Sequence, residues 1–196
     1  PVQDYIGMSR NVRTFMSLWE SPKPVIAPVH GWCVGGGSDM ALCSDLIYMA
    51  EDAQIGYPPA RIWGEPTTVM WAYRLGLEHA KRLMLTGQSV SGVEAERIGL
   101  ASKAVPAGEL AGAVEDMARR MATIPLNQLV MSKLLVNQAY ENMGLRTTQM
   151  LGTVFDGIAR HTPEGIAWRD SAMRDGFREA VRRRDAPFGD YGERKR

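Results

Sequence analysis

The chain has 196 residues, 45% of them hydrophobic and 23% charged, a composition that suits a domain with a buried core and excludes disordered, collagen-like and miniature scaffolds. Lys and Arg number 23 against 22 Asp and Glu, a net charge of +1, so no overall field recruits nucleic acid or a membrane surface. Two cysteines and the lack of a long apolar run or leader-like opening make a reducing cytoplasm the expected location.

Val12, Phe15, Met16 and Trp19 recur at i, i+3, i+4 and i+7. This is the one-face spacing of an amphipathic helix, predicted to run to about Leu18. Ser21-Pro22-Lys23-Pro24 stops it, because proline lacks an amide donor and disfavours helix in the residue before it. Residues 25–29 read as a short buried strand, with Pro28 at an edge or unpaired position. A glycine-rich turn from Gly31 to Asp39 then opens onto a short apolar helix, and 46–50 is the second strand. From residue 65 the pattern is helical, over about 66–75, 78–85, 91–98, 107–123, 126–141, 145–160 and 164–184. Ser91-x-x-Glu94 reads as a capping box, Thr162-Pro163 as a cap before a first-turn proline, and 102–105 as a third short strand. The layout is an α/β layer over 1–106 followed by a helical region over 107–196. Three short strands make a poor sheet: either the helices dominate or the sheet is completed by strands in chain preceding Pro1.

Gly35-Gly36-Gly37 at a helix start presents free N–H groups at the positive end of a dipole, a place for an oxyanion or phosphate. A tight turn without a ligand is the other reading. Dinucleotide and hydrolase-nucleophile loops both need a small residue where Met40 stands, and no Gly-Lys-Ser/Thr follows for a phosphate loop.

Lys23-Pro24-Val25-Ile26-Ala27-Pro28-Val29-His30-Gly31, Val34-Gly35-Gly36-Gly37-Ser38-Asp39-Met40-Ala41-Leu42, Ser44-Asp45-Leu46 and Ala53-Gln54-Ile55-Gly56 closely resemble the crotonase (enoyl-CoA hydratase/isomerase) family. The match continues through Arg74-Leu75-Gly76, Leu85-Thr86-Gly87, Ala95-Glu96-Arg97-Ile98-Gly99-Leu100 and Val105-Pro106 and, more loosely, to Pro187-Phe188. The resemblance implies a spiral of ββα units, a C-terminal helical region that assembles trimers or dimers of trimers, and an acyl-CoA thioester as substrate. CoA is then part of the substrate and no separate cofactor is expected. The thioester oxygen would accept from the backbone N–H of Gly36, with Gly35 beside it and a second donor upstream of Lys23, expected before Pro1.

The family's hydratases use two glutamates, and here those positions hold Asp39 and Pro59. Aspartate is one methylene shorter, and proline transfers no proton, so the two-glutamate hydration is not available. Isomerases of the family with aspartate at the first position carry a further acid at the place of Thr67. Asp39 is the first catalytic candidate. Glu65, before the next helix, is the second, or else a solvated loop acid at a helix start. Tyr57 and Arg61 would orient substrate or serve the loop. Trp32, Trp63, Met70 and Trp71 would wall an acyl pocket or pack the core. His30 reads as a core histidine, Cys33 and Cys43 as small core residues, and no grouping has metal spacing. The arginines at 182–184, with Arg194-Lys195-Arg196, suit CoA phosphates or a solvated helix face. The expected activity is enolate chemistry on a CoA thioester, with hydration, isomerisation, hydrolysis or decarboxylation open; the alternative is a non-catalytic CoA-thioester binder or assembly subunit.

Overall fold

The computed structural model describes residues 2–191. Helix α1 (Val2–Glu20) is followed by six short strands: β1 (Ile26–Val29), β2 (Trp32–Val34), β3 (Leu46–Ala50), β4 (Gln54–Gly56), β5 (Ser89–Ser91) and β6 (Lys103–Val105). Among and after them come α2 (Gly36–Leu42), α3 (Met70–Arg74), α4 (Leu77–Thr86), α5 (Gly92–Arg97), α6 (Leu110–Ala122), α7 (Leu126–Asn142), α8 (Leu145–Ala159), α9 (Pro163–Asp175) and α10 (Phe177–Asp185).

The strands form two small sheets. One has the order β1-β3-β6 and is parallel throughout; the other has the order β2-β4-β5, with β5 antiparallel to β4. The chain passes from the first sheet to the second between β1 and β2 and again between β3 and β4, then enters a helix, which is a ββα repeat. Pro28 lies in β1, which pairs with β3 alone among the described strands, so its missing N–H interrupts no second ladder. The core between the sheets and the helices is filled by Leu42, Ile47, Met49, Ile55, Met70, Trp71 and Leu83.

Three strands were expected and six are present among the described residues. The additional ones are three residues each, too short for a period of two to register against neighbouring glycines. The helix expected over 66–75 shrinks to Met70–Arg74, entered through Val69 at φ 55°, the one described non-glycine residue with positive φ. The helix expected over 164–184 is two helices, broken at Gly176 with φ 92° and ψ 147°. Ser91 caps α5 by accepting from the Glu94 N–H at 3.2 Å, but the Glu94 carboxylate is engaged by Arg97 and Arg82. His30 is exposed rather than a core residue, because β1 ends at Val29 and the turn through Gly31 leads outward.

Gly92 lies so close to the Ala50 carbonyl that an added Cβ would overlap it, and backbone there cannot step aside. Gly92→Ala is therefore expected to cost about 2–4 kcal/mol, measured as a lower urea midpoint at unchanged slope; a loss under about 0.5 kcal/mol would contradict this packing.

Candidate active site

The glycine turn enters α2 through Gly35 at φ 57° and ψ −127°, a conformation that L side chains rarely adopt. The helix closes with the Asp39 N–H donating to the Gly35 carbonyl at 3.0 Å. The first-turn N–H groups, that of Gly36 foremost, have no partner within the helix and lie at its positive end. One turn in, Asp39 points inward and is 2% exposed. Its Oδ1 accepts from Thr68 Oγ1 at 2.5 Å, and Thr68 is in turn held by Gln149 Nε2, which donates to the Thr68 carbonyl at 3.1 Å. Burial pushes the Asp39 carboxyl up to about 7; the Thr68 hydrogen bond opposes this and the charge of Asp156 adds to it.

The facing wall is the segment from Tyr57 to Thr68. Pro58 and Pro59 set a 3-10 turn (Pro58–Arg61), and the Pro59 carbonyl accepts from Ile62, Trp63 and Gly64 at 3.0–3.1 Å. The Pro59 ring fills the gap between the two glycines: a Cβ on Gly35 would meet its Cγ at 3.8 Å, and one on Gly64 its Cβ at 3.2 Å. Tyr57 Oη donates to the Glu65 carbonyl at 2.9 Å, and the Glu65 N–H donates to Asp156 Oδ1 at 3.1 Å. Asp156 is buried on α8, its Oδ2 paired with Arg160 Nε at 2.8 Å. The Glu65 carboxyl is raised by burial and then by Asp156; the Tyr57 phenol is raised by burial and then by the charges of Asp39 and Asp156, with Arg160 opposing.

Residues 4–167 match the family model for enoyl-CoA hydratase/isomerase. The chain belongs to the enoyl-CoA hydratase/isomerase family. This crotonase-family chain is 52% identical to a crystal structure of an enoyl-CoA hydratase from Mycobacterium smegmatis, with a TM-score of 0.95 over 98% of this chain and 66% of that one. It is 29% identical to an enoyl-CoA hydratase/isomerase structure from Xanthobacter autotrophicus Py2, with a TM-score of 0.86 over 92% of this chain and 68% of that one. A mitochondrial enoyl-CoA hydratase of Pongo abelii is 32% identical over 136 residues, 68% of this chain and 47% of the relative. The chain spans 39–67% of the length of three further curated relatives.

Within this family frame the two sequence candidates differ in setting: Asp39 is buried, whereas Glu65 is partly exposed at the loop. Thr67, at the place of the isomerase acid, is buried. Arg61 is a structural residue, since its guanidinium pairs with Asp185 and Asp190 at 2.9 and 2.7 Å and lies over the Phe188 ring. Met70 and Trp71 are core. Trp32 is 48% exposed and rests on Tyr191, while Trp63 stacks on Trp168, so the two tryptophans flank different elements. Cys33 and Cys43 are buried, with thiols pushed up to about 11 and about 12 by burial. Arg182 and Arg183 are taken up by Glu179 and Asp175, and Arg184 is buried against Asp185, which corrects the solvated-face reading for that residue; 194–196 lie outside the described residues. Among the described residues no three His, Cys, Asp or Glu side chains are grouped to hold a metal, and no helix is long and apolar enough to cross a membrane.

Sequence reading missed Thr68, Gln149 and Asp156. The signal was there for α8: Leu145, Gln149, Thr153 and Asp156 fall at i, i+4, i+8 and i+11 and form its buried stripe, while Met150, Leu151, Phe155 and Ile158 face outward. Because the Asp156 charge raises its acidic neighbours, Asp156→Asn is expected to move the acidic limb of the kcat–pH profile downward by a few tenths of a pH unit. An upward or absent shift would contradict that coupling.

Proposed function

We propose that this chain carries the acyl-CoA site of a crotonase-type enzyme that works through a thioester enolate. The Gly36 N–H is one donor to the thioester oxygen, and Asp39 takes and returns a proton on the carbon beside the carbonyl. Oxyanion donors of this kind are worth about 3–4 kcal/mol each in another enzyme where one was removed. The observation that carries the reading is Asp39: a buried carboxyl poised at about 7, one helical turn from a free helix-start amide. A general base works best with a pKa near the working pH. Glu65 is the second proton-transfer group, since Pro59 has none to give. Gly35, Tyr57, Trp32 and Trp63 bound the substrate channel. CoA enters as part of the substrate, with no separate cofactor.

Assembly is proposed on the inverted faces of the helical region. Leu134 and Leu135 on α7 and Leu151 and Phe155 on α8 are large apolar side chains turned to solvent, which suits packing against further copies of this chain in a homotrimer or a dimer of trimers.

Turnover of crotonyl-CoA, followed by loss of its enoyl absorbance, tests the reading. Catalysed turnover supports it. Binding of thioesters with no turnover of crotonyl-, acetoacetyl- or malonyl-CoA overturns it in favour of a binding or assembly subunit.

A further inference from the structure

The segment 66–69 turns back on itself, with the Val69 N–H donating to the Pro66 carbonyl at 3.2 Å. It ends with Val69 at φ 55° and ψ 14°, a left-handed conformation that a β-branched residue adopts only at a cost in energy. What the turn secures is Thr68. This residue is fully buried, and its hydroxyl reaches Asp39 Oδ1 at 2.5 Å across 29 residues of chain. The other side of the turn rests on α8. Gln149, 3% exposed, donates through Nε2 to the Thr68 carbonyl at 3.1 Å. One turn further on, Gly152 approaches so closely that an added Cβ would meet Val69 Cγ2 at 2.6 Å and the Pro66 carbonyl at 3.1 Å. A buried amide donor and a close helix contact thus hold the left-handed turn in place, and the Thr68 hydroxyl is aimed by both.

Resting on the proposed role of Asp39 as proton carrier, we propose that Thr68 is the positioning residue of that reaction: its hydroxyl fixes the Asp39 carboxyl in one orientation, and Gln149 fixes Thr68. A carboxyl tied through Oδ1 presents its other oxygen in a set direction, as proton transfer at a defined carbon requires. The hydroxyl has a second effect. It hydrogen-bonds the charged form of Asp39 and so opposes the upward pull of burial, holding the carboxyl at about 7 where it would otherwise titrate higher. The backbone N–H groups of Thr68 and Thr67 act in the same sense. The ionisable groups that interact with Asp39 are Asp156 from α8, Tyr57 from the facing wall and Cys43 at the end of its own helix. All three remain when Thr68 is changed, so a shift in the Asp39 titration reports on the hydroxyl.

Exchange of the C2 protons of butyryl-CoA in deuterated buffer, followed against pH, and NMR titration of the Asp39 carboxyl carbon together test this. Thr68→Val keeps the shape and removes the donor. Its exchange rate should fall by about 10–10²-fold, as for a catalytic group misplaced by about 1 Å. Its Asp39 midpoint and the acidic limb of its rate profile should both rise by about one pH unit, the worth of a hydrogen bond to a charged group, with affinity for butyryl-CoA within about twofold of wild type. Thr68→Ser, which returns the hydroxyl without the methyl, should recover both rate and midpoint. Gln149→Met keeps the length of the side chain and loses the donor, so a smaller fall in rate is expected; this variant carries the test should Thr68→Val not fold, and an unchanged rate in it then overturns the proposal. In folded Thr68→Val, an unchanged midpoint, a rate loss accounted for by weaker binding, or the same loss in Thr68→Ser also overturns it. Asp39→Asn separates the proposal from the reading beneath it. Exchange undiminished in Asp39→Asn overturns both, whereas exchange lost there and unchanged in Thr68→Val overturns the role of Thr68 alone.

Discussion

Asp39→Asn lowers kcat for a CoA thioester by about 10³-fold, within the range of about 10²–10⁴ for a positioned acid or base, and at the same time stabilises the fold above neutral pH. Both effects come from one carboxyl. Asn retains an oxygen to accept from Thr68 Oγ1, so the geometry of α2 survives while the proton carrier is lost. The stability effect has a definite sign. Asp39 is raised to about 7 in the folded chain from an ordinary 3.8, so between these values the folded state holds a proton that the unfolded state has released. Raising pH through that window therefore favours the unfolded state and costs stability, and the cost is complete above about 7, where the folded carboxyl ionises as well. The variant escapes it. Its advantage over wild type is expected to be small at pH 4 and to reach about 4 kcal/mol at pH 8. Urea denaturation at both pH values measures it; a variant less stable than wild type at pH 8 would contradict a buried, uncompensated carboxylate.

Asp185→Ala is expected to destabilise by about 3–5 kcal/mol, because removing one member of a buried charge network leaves the others unpaired away from water. Asp185 is fully buried at the end of α10. Its Oδ1 accepts from Arg61 Nη1 at 2.9 Å and from Arg184 Nε at 2.7 Å, and its Oδ2 from Arg184 Nη2 at 2.7 Å. Arg61 also donates to the Thr86 carbonyl and to Asp190, and Asp190 accepts from the Ser89 N–H, so a single guanidinium ties the 3-10 turn bearing Pro59 to β5 and to the C-terminal segment. For a chain of this size the loss corresponds to a fall in Tm of about 10 °C. Activity should fall with it even where the variant is still folded, since Arg61 lies two residues from Pro59. A change in Tm under about 2 °C would show that the network adds little.

The strand, turn and helix start that frame the candidate site were legible in the sequence, and the reasons are local. Three glycines, a short apolar run and flanking β-branched segments favour a strand, a turn and a helix start, which placed Gly36 and Asp39 at the opening of α2, while the roles expected of them came from the family resemblance. Pro59 was legible as a departure because proline's chemistry does not depend on its surroundings. The rest depended on contacts distant in sequence. Asp156 meets Glu65 across 91 residues and Gln149 meets Thr68 across 81, and no window of periodicity spans such distances. The inward polar stripe of α8 was visible in principle, but its outward apolar face is the more conspicuous, and an ordinary amphipathic reading turns the helix the wrong way. The split between the two sheets escaped for a different reason: strands of three residues carry too little pattern, and which sheet each joins is decided by tertiary pairing.

Proton exchange at the carbon next to the thioester carbonyl tests enolate formation most directly, because it needs no knowledge of the bond that is made or broken afterwards. With butyryl-CoA in deuterated buffer, followed by NMR, wild type should exchange the C2 protons well above the buffer rate. The rate should rise as pH climbs through about 7 and fall to background in Asp39→Asn. Exchange no faster than in buffer, or exchange undiminished in Asp39→Asn, would contradict the assignment of Asp39 as the proton carrier of a thioester enolate.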